Sequence, residues 1–144
     1  MLRMLSWFGL LAMAAGLVGL YLVHALFFPL PAVTAVQVLA VLLMLWARVT
    51  FGRRSFHASA DPTQGGLMTT GPYRFIRHPI YTAACLFGWP GAVTAHTPLA
   101  LALAALVTVG ALVRMLCEER LLVGLYPEYR DYAARTRRMI PYVF

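Results

Sequence analysis

Two long stretches of this chain contain no ionised side chain. Residues 4 to 47 lack Asp, Glu, Lys and Arg, and so do residues 78 to 113. At ~1.5 Å per helical residue the first stretch is about twice the ~30 Å hydrocarbon thickness of a bilayer, so it must cross twice. Its break falls at "FFPLPAV", where Pro29 and Pro31 remove amide donors and disfavour helix just before them. Spans near 4–28 and 32–51 follow. The second stretch carries "GWPGAVTAHTP" in its middle, and Pro90, Gly91 and Pro98 are expected to turn it into a tighter hairpin with spans near 79–95 and 98–117. The predicted fold class is therefore all-α integral membrane: four transmembrane helices arranged as two hairpins.

Composition agrees with that pattern. The chain has 144 residues, 61% hydrophobic and 12% charged, and a mean hydropathy of +0.74; this is too apolar for a soluble domain. One domain over 1–144 is expected. The net charge is +7, and every basic residue is arginine, so their positions carry the information. With four crossings, Arg3, the group Arg48, Arg53, Arg54, Arg74 and Arg77, and the group from Arg114 through Arg138 all fall on one side. The positive-inside rule places that side, with both termini, in the cytoplasm. A three-crossing arrangement would leave half of them outside. The first apolar segment exceeds the ~7 to 15 residues of a signal-peptide core, so it reads as a permanent span.

Cys85 and Cys117 have no metal-ligand spacing and read as small buried side chains, and no metal site is expected. "DPTQGG", residues 61–66, reads as an exposed turn. Gln37, His24 and Thr94 read as interhelical hydrogen-bonding groups, and His96 belongs to the outer turn.

Candidate chemistry lies where polar groups meet the membrane. In "GPYRFIRHPIY", residues 71–81, Pro79 suits the first helical position of the third span, which puts His78 at the cap and Tyr81 within a turn of it. Arg77, His78 and Tyr81 would then converge at a helix N-terminus, where amides favour an anion. The competing reading is that Arg74 and Arg77 only anchor the helix end, with Tyr73 and Tyr81 in an aromatic belt. "RMLCEERLL", residues 114–122, ends the fourth span. Its adjacent acids are costly near hydrocarbon and need cations or a ligand. Arg114 and Glu118 are four apart and can pair on one helix face; Glu119 points ~100° away and needs another partner. The tail "YPEYRDYAARTRRMIPYVF" reads as an interfacial helical segment starting after Pro127, and for most of its arginines anionic lipid is the simplest partner. Nucleic acid is not expected, because topology accounts for the basic residues.

Together, "GPYRFIRHPIY", the Glu pair of "RMLCEERLL" and the tail resemble the integral membrane methyltransferases related to isoprenylcysteine carboxyl methyltransferase and the phospholipid N-methyltransferases. The resemblance covers residues 65–144; the first two spans match only as apolar helices. It implies S-adenosylmethionine as cofactor, enclosed by the Arg-His-Pro-x-Tyr stretch and the Glu pair. The resemblance carries over onto Arg77, His78, Pro79 and Tyr81, onto Glu118 and Glu119, and more loosely onto Tyr129, Tyr132 and Arg138. With Tyr73 added, the candidates for cofactor binding are Tyr73, Arg77, His78, Pro79, Tyr81, Glu118, Tyr129 and Tyr132, and the catalytic candidates are Glu119, Arg114 and Arg138. The order Glu-Tyr-x-x-Tyr, Arg, Pro is similar to the carboxyl methyltransferase branch. Two departures blur the subfamily: Ala83 stands where the family often has Gly, and Tyr126-Pro127 stands where an aromatic-Gly pair is usual.

The implied function is methyl transfer to a lipophilic acceptor at the cytoplasmic membrane face. A carboxylate acceptor needs only a cation such as Arg138 or Arg114, whereas an amine must lose a proton, for which Glu119 is the available group. Phospholipid and small-molecule N- or S-methylation are the alternatives within the superfamily. Outside it stand an anionic-lipid-binding scaffold, which leaves the Glu pair unexplained, and a nicotinamide-dependent sterol reductase, for which the helical core is small. A homodimer would supply tunnel walls that larger relatives build from extra spans, although no residue demands one.

Overall fold

A computed structural model describes residues 1–52 and 66–144. Most of the expected "DPTQGG" turn, together with Arg53 and Arg54, lies outside the described residues. Among those described there are five α-helices and no strand: α1 (Leu2–Leu22), α2 (Pro31–Phe51), α3 (Pro79–Ala95), α4 (Pro98–Leu125) and α5 (Tyr129–Arg135), with a 3-10 turn at Gly71–Arg74. α1, α2 and α4 are long and apolar enough to cross a membrane. α3 has 17 residues.

α2, α3 and α4 each begin with proline at the first helical position, where the missing N–H is one the helix could not have bonded. α4 is capped further by Thr97, whose hydroxyl accepts from the Ala100 amide at 3.2 Å.

Two boundaries and one turn signal differ from expectation, while α3 keeps the expected 79–95 bounds. The first span stops at Leu22 rather than 28, because the chain reverses at His24, which takes a left-handed conformation with φ 54°, and the Ala25 amide closes the end on the Leu20 carbonyl at 2.8 Å. The loop that follows crosses α3 at Gly91, where a Cβ would lie 2.4 Å from both the Ala25 and Leu26 carbonyl oxygens. Gln37 fixes this crossing, donating to Leu26 O at 2.7 Å and Phe87 O at 3.1 Å. Second, Pro90 does not turn the chain: it lies inside α3, as membrane-type helices allow when neighbours steady the interrupted backbone, and the turn falls at His96, φ 53°. Third, α4 does not end at 117 with the apolar run but continues through Glu118, Glu119 and Arg120 to Leu125.

α1 packs along α4, α4 against α3, and α3 against α2. The α1–α4 contact is close because glycines face each other: a Cβ on Gly9 would meet Gly110 O at 2.8 Å, and one on Gly110 would meet Gly9 O at 2.6 Å. Without a water-driven hydrophobic effect between spans, such backbone approach supplies the packing attraction. Buried residues form two groups. Leu20, Ala92, Ala100 and Ala104 fill one end, and Met13, Tyr81, Ala111, Met115 and Met139 fill the other. This second end gathers the start of α1, the starts of the 3-10 turn and α3, and the final turns of α2 and α4. Gly71 packs on Thr50, where a Cβ would fall 2.5 Å from its hydroxyl oxygen.

Candidate functional site

Polar side chains concentrate above that second core group. His78 caps α3 and Pro79 opens it, as the proline spacing predicts. The segment before the cap pairs with the tail. Arg77 N donates to Arg137 O at 2.7 Å, His78 N to Arg138 O at 2.9 Å, and Arg137 N to Phe75 O at 3.2 Å, around a parallel bridge between Ile76 and Arg137. We call residues 136–144 the strap. The Thr82 hydroxyl, donating to Met139 O at 2.8 Å, holds it from the first turn of α3. The amides of Arg77 and His78, just before the helix start, are thus engaged by strap carbonyls.

Glu119 is the hub of three cations or potential cations. Its Oε1 accepts from Arg77 Nε at 3.0 Å and lies 3.3 Å from His78 Nε2, while Oε2 accepts from Arg138 Nε at 3.1 Å. Arg77 also reaches the tail: its Nη1 donates to Ala133 O at 2.9 Å and Thr136 O at 2.7 Å. One guanidinium thereby joins the α3 cap, α4 and the end of α5, a three-way task that suits its fixed fork of donors.

Glu118 forms the second half. Its Oε1 accepts from the Tyr81 hydroxyl and faces Arg114 Nη2 at 3.4 Å; Oε2 lies 3.7 Å from His78 Nδ1. Arg114 is buried and donates from Nε to the Tyr81 oxygen at 2.8 Å and from Nη1 to Ser6 O at 3.4 Å. Since Arg114 occupies a lone pair of Tyr81, the single phenolic proton is directed to Glu118. His78 lies against the Tyr81 ring, centroids 5.7 Å apart, between the two acids. The Glu118 side chain is 24% exposed and that of Glu119 is 12%, so Glu118 is the more open to a ligand.

The tyrosines of the tail divide. Tyr132 donates its hydroxyl to Tyr73 O at 2.6 Å, and Tyr73 packs against Phe51 with centroids 5.6 Å apart; the pair seals α5 to the 3-10 turn. Burial pushes the Tyr132 phenol up to about 12. It also raises Tyr73, with the Glu118 charge adding to the effect. Tyr129 differs: it is 2% exposed, and its hydroxyl makes no well-aligned hydrogen bond among the described residues, although it lies close enough to Glu119 to interact with that carboxylate. Burial raises that phenol, and the nearby Glu119 charge raises it further. A buried hydroxyl held only loosely beside a charged cluster is free to turn to a ligand.

The structure thus brings Arg77, His78, Tyr81, Arg114, Glu118, Glu119 and Arg138 into direct contact, with Pro79 as the helix start, Tyr129 alongside and Tyr73 and Tyr132 in the adjoining seam. Ser6, Thr82, Ala133 and Thr136 are partners that the sequence reading missed. Three of them act wholly or partly through backbone carbonyls, which leave no signal in a sequence. Thr82, next to the motif tyrosine, was the one legible candidate.

A profile of the phospholipid methyltransferase family matches residues 29–129. That range holds every contact above except those from α1 and the tail. The nickel-cobalt-cadmium resistance protein NccN of Alcaligenes xylosoxydans xylosoxydans is similar too, 42% identical over 79 residues that make up 52% of this chain and 36% of that protein. The match spans about a third of that curated relative's length.

Proposed function

The chain belongs to the phospholipid methyltransferase family, a membrane methyltransferase family, and on that premise we propose that it transfers a methyl group from S-adenosylmethionine to a lipophilic acceptor at the cytoplasmic face of the membrane. The observation that carries this reading is the meeting of Arg77, His78 and Tyr81 with Glu118 and Glu119 at one end of the bundle. The donor set fits the cofactor. S-adenosylmethionine presents a carboxylate, an ammonium, a ribose diol and an apolar-edged adenine, and the cluster offers arginines, two acids, the buried Tyr129 hydroxyl with no well-aligned bond among the described residues, and the apolar Met115 and Ala111. When bound, it supplies an electrophilic methyl carbon on a sulfonium.

Glu118, the more exposed acid, holds the ammonium or ribose, and Arg77 or Arg138 holds the carboxylate. Tyr81 and Arg114 keep Glu118 aimed, and Tyr129 donates its hydroxyl to the ligand. The protein's remaining task is to exclude water and align the acceptor. Glu119 accepts from both Arg77 and Arg138, which makes it a poor proton acceptor. That favours an acceptor already ionised, a carboxylate, as in isoprenylcysteine carboxyl methyltransferase. The family's description favours a second reading, a phospholipid amine.

With α3 counted, at about 25 Å of helix, the reading has four spans and an acceptor entering sideways from the bilayer. The arginines at the site's end support a cytoplasmic position for that end. Purified chain incubated with radiolabelled S-adenosylmethionine, membrane lipid extract, prenylcysteine and small thiols in parallel tests it. Base-labile label in prenylcysteine marks a carboxylate acceptor, and base-stable label in lipid marks an amine. Label in none, with calorimetric cofactor affinity the same in wild type and Glu118→Ala, would remove the proposal.

A further inference from the structure

Of the exposed arginines that take no part in the charged cluster, four lie on α5, on the strap or on the turn that the strap pairs with, Arg3 and Arg120 lying elsewhere. Arg74, Arg130, Arg135 and Arg137 are all exposed, and the only acids exposed beside them among the described residues are Glu128 and Asp131, leaving a positive surplus. The elements that carry them adjoin one another. The Arg137 amide bonds the Phe75 carbonyl, the Arg74 guanidinium lies 5.2 Å above the Phe75 ring, and the Tyr132 hydroxyl pins α5, with Arg130 and Arg135, to Tyr73. Between and beyond these cations the surface is apolar: Phe75, Ile140, Val143 and Phe144 are exposed.

Apolar side chains interleaved with arginines are poorly placed in water and well placed at a bilayer boundary, where the stems and rings enter the acyl region and the guanidinium groups meet phosphate. We infer that the strap and α5 form a seat for anionic phospholipid headgroups. A membrane surface is favoured over a soluble polyanion because apolar candidate spans α2 and α4 end at this surface. Planar guanidinium forks match a phosphate diester bidentately.

The seat is also joined to the site. The strap carbonyls of Arg137 and Arg138 receive the amides of Arg77 and His78, and Arg138 itself pairs with Glu119. Headgroups that hold the strap therefore hold the cofactor cluster shut around its ligand, a consequence that rests on the proposed methyltransferase reading; the seat itself does not.

The test uses the full chain in nanodiscs of phosphatidylcholine with or without about 30 mol % phosphatidylglycerol. Native mass spectrometry after partial delipidation is expected to find phosphatidylglycerol enriched over phosphatidylcholine by roughly tenfold. The variant R74Q/R130Q/R135Q/R137Q should lose the enrichment, and the matching four-lysine variant should keep most of it. Equal retention in wild type and the glutamine variant would overturn the seat, as would displacement of the lipid by millimolar inorganic phosphate, which would assign the arginines to a free anion. Calorimetry with S-adenosylmethionine reads the coupling separately. Affinity several-fold weaker without phosphatidylglycerol is expected, and equal affinity in both nanodiscs would overturn the link to the site while leaving the seat standing.

Discussion

Replacing Arg114 with methionine separates a substrate-holding arginine from one that builds the site. The guanidinium donates to the Tyr81 hydroxyl, faces Glu118 and touches the Ser6 carbonyl of α1. Methionine fills similar volume, so the cavity contribution is small and the loss is electrostatic. Removing one partner of a buried ion pair costs about 3–5 kcal/mol. Glu118 has a side chain 24% exposed and keeps the Tyr81 hydroxyl and His78, so solvent and remaining donors reduce the expected loss to ~2–3 kcal/mol. Two measurements follow. Unfolding in mixed micelles should show that loss, and cofactor affinity should fall by at least about tenfold, because Tyr81 is released from its fixed orientation and Glu118 from its aim. The acceptor KM should change little, since the Arg114 donors face protein groups rather than an open surface. Arg138→Gln is the contrast: with a side chain 37% exposed, its loss should cost less than ~1 kcal/mol of stability. An Arg114→Met protein as stable as wild type, with unaltered cofactor affinity, would refute the role drawn for Arg114; a selective rise in acceptor KM would restore it as a substrate-holding cation.

Arg77→Lys should release the tail, because one ammonium cannot serve Glu119, Ala133 O and Thr136 O together; amide exchange across 133–144 is expected to rise, and unchanged protection would show that the backbone pairing alone suffices. Gly9→Ala puts a methyl 2.8 Å from Gly110 O and 3.0 Å from Arg114 Cγ, so α1 must shift off α4 at a cost of about 1–3 kcal/mol; an unaltered unfolding midpoint contradicts that packing. Tyr129→Phe removes a buried hydroxyl that makes no well-aligned hydrogen bond among the described residues, so stability should change by less than about 1 kcal/mol while cofactor affinity falls. Unchanged affinity in a folded Tyr129→Phe protein takes this residue out of the ligand set.

How much of this was legible in the chain depends on where the information sits. The starts of α2, α3 and α4 could be read because proline at the first helical position is a local chemical fact, and Pro79 thereby fixed His78 at the cap. The ends were harder. α1 stops at Leu22 since the 24–26 loop must cross Gly91, a tertiary requirement that no neighbouring residue announces, and a histidine rather than glycine takes the left-handed position. Pro90 misled for the same reason: whether proline turns a membrane chain or rides inside a helix is decided by neighbours. The Arg114–Glu118 pair followed from helical spacing, and the statement that Glu119 needed a different partner followed from its ~100° offset.

The partner's identity is the point at which local reasoning met long-range structure. Two hairpins that return to the same end leave few cations within reach of Glu119, and the structure supplies Arg77 and Arg138. What spacing could not convey is that α1 takes part. Ser6 sits in a featureless apolar run, yet its carbonyl meets Arg114, and its own hydroxyl is buried with no partner among the described residues. That follows from the antiparallel α1–α4 contact, in which Gly9 and Gly110 let the backbones close and set Ser6 level with the arginine. The helix that read as a generic anchor is thus part of the scaffold aiming Tyr81 and Glu118, and a substitution along its glycine face reaches the charged cluster without altering a single charged residue.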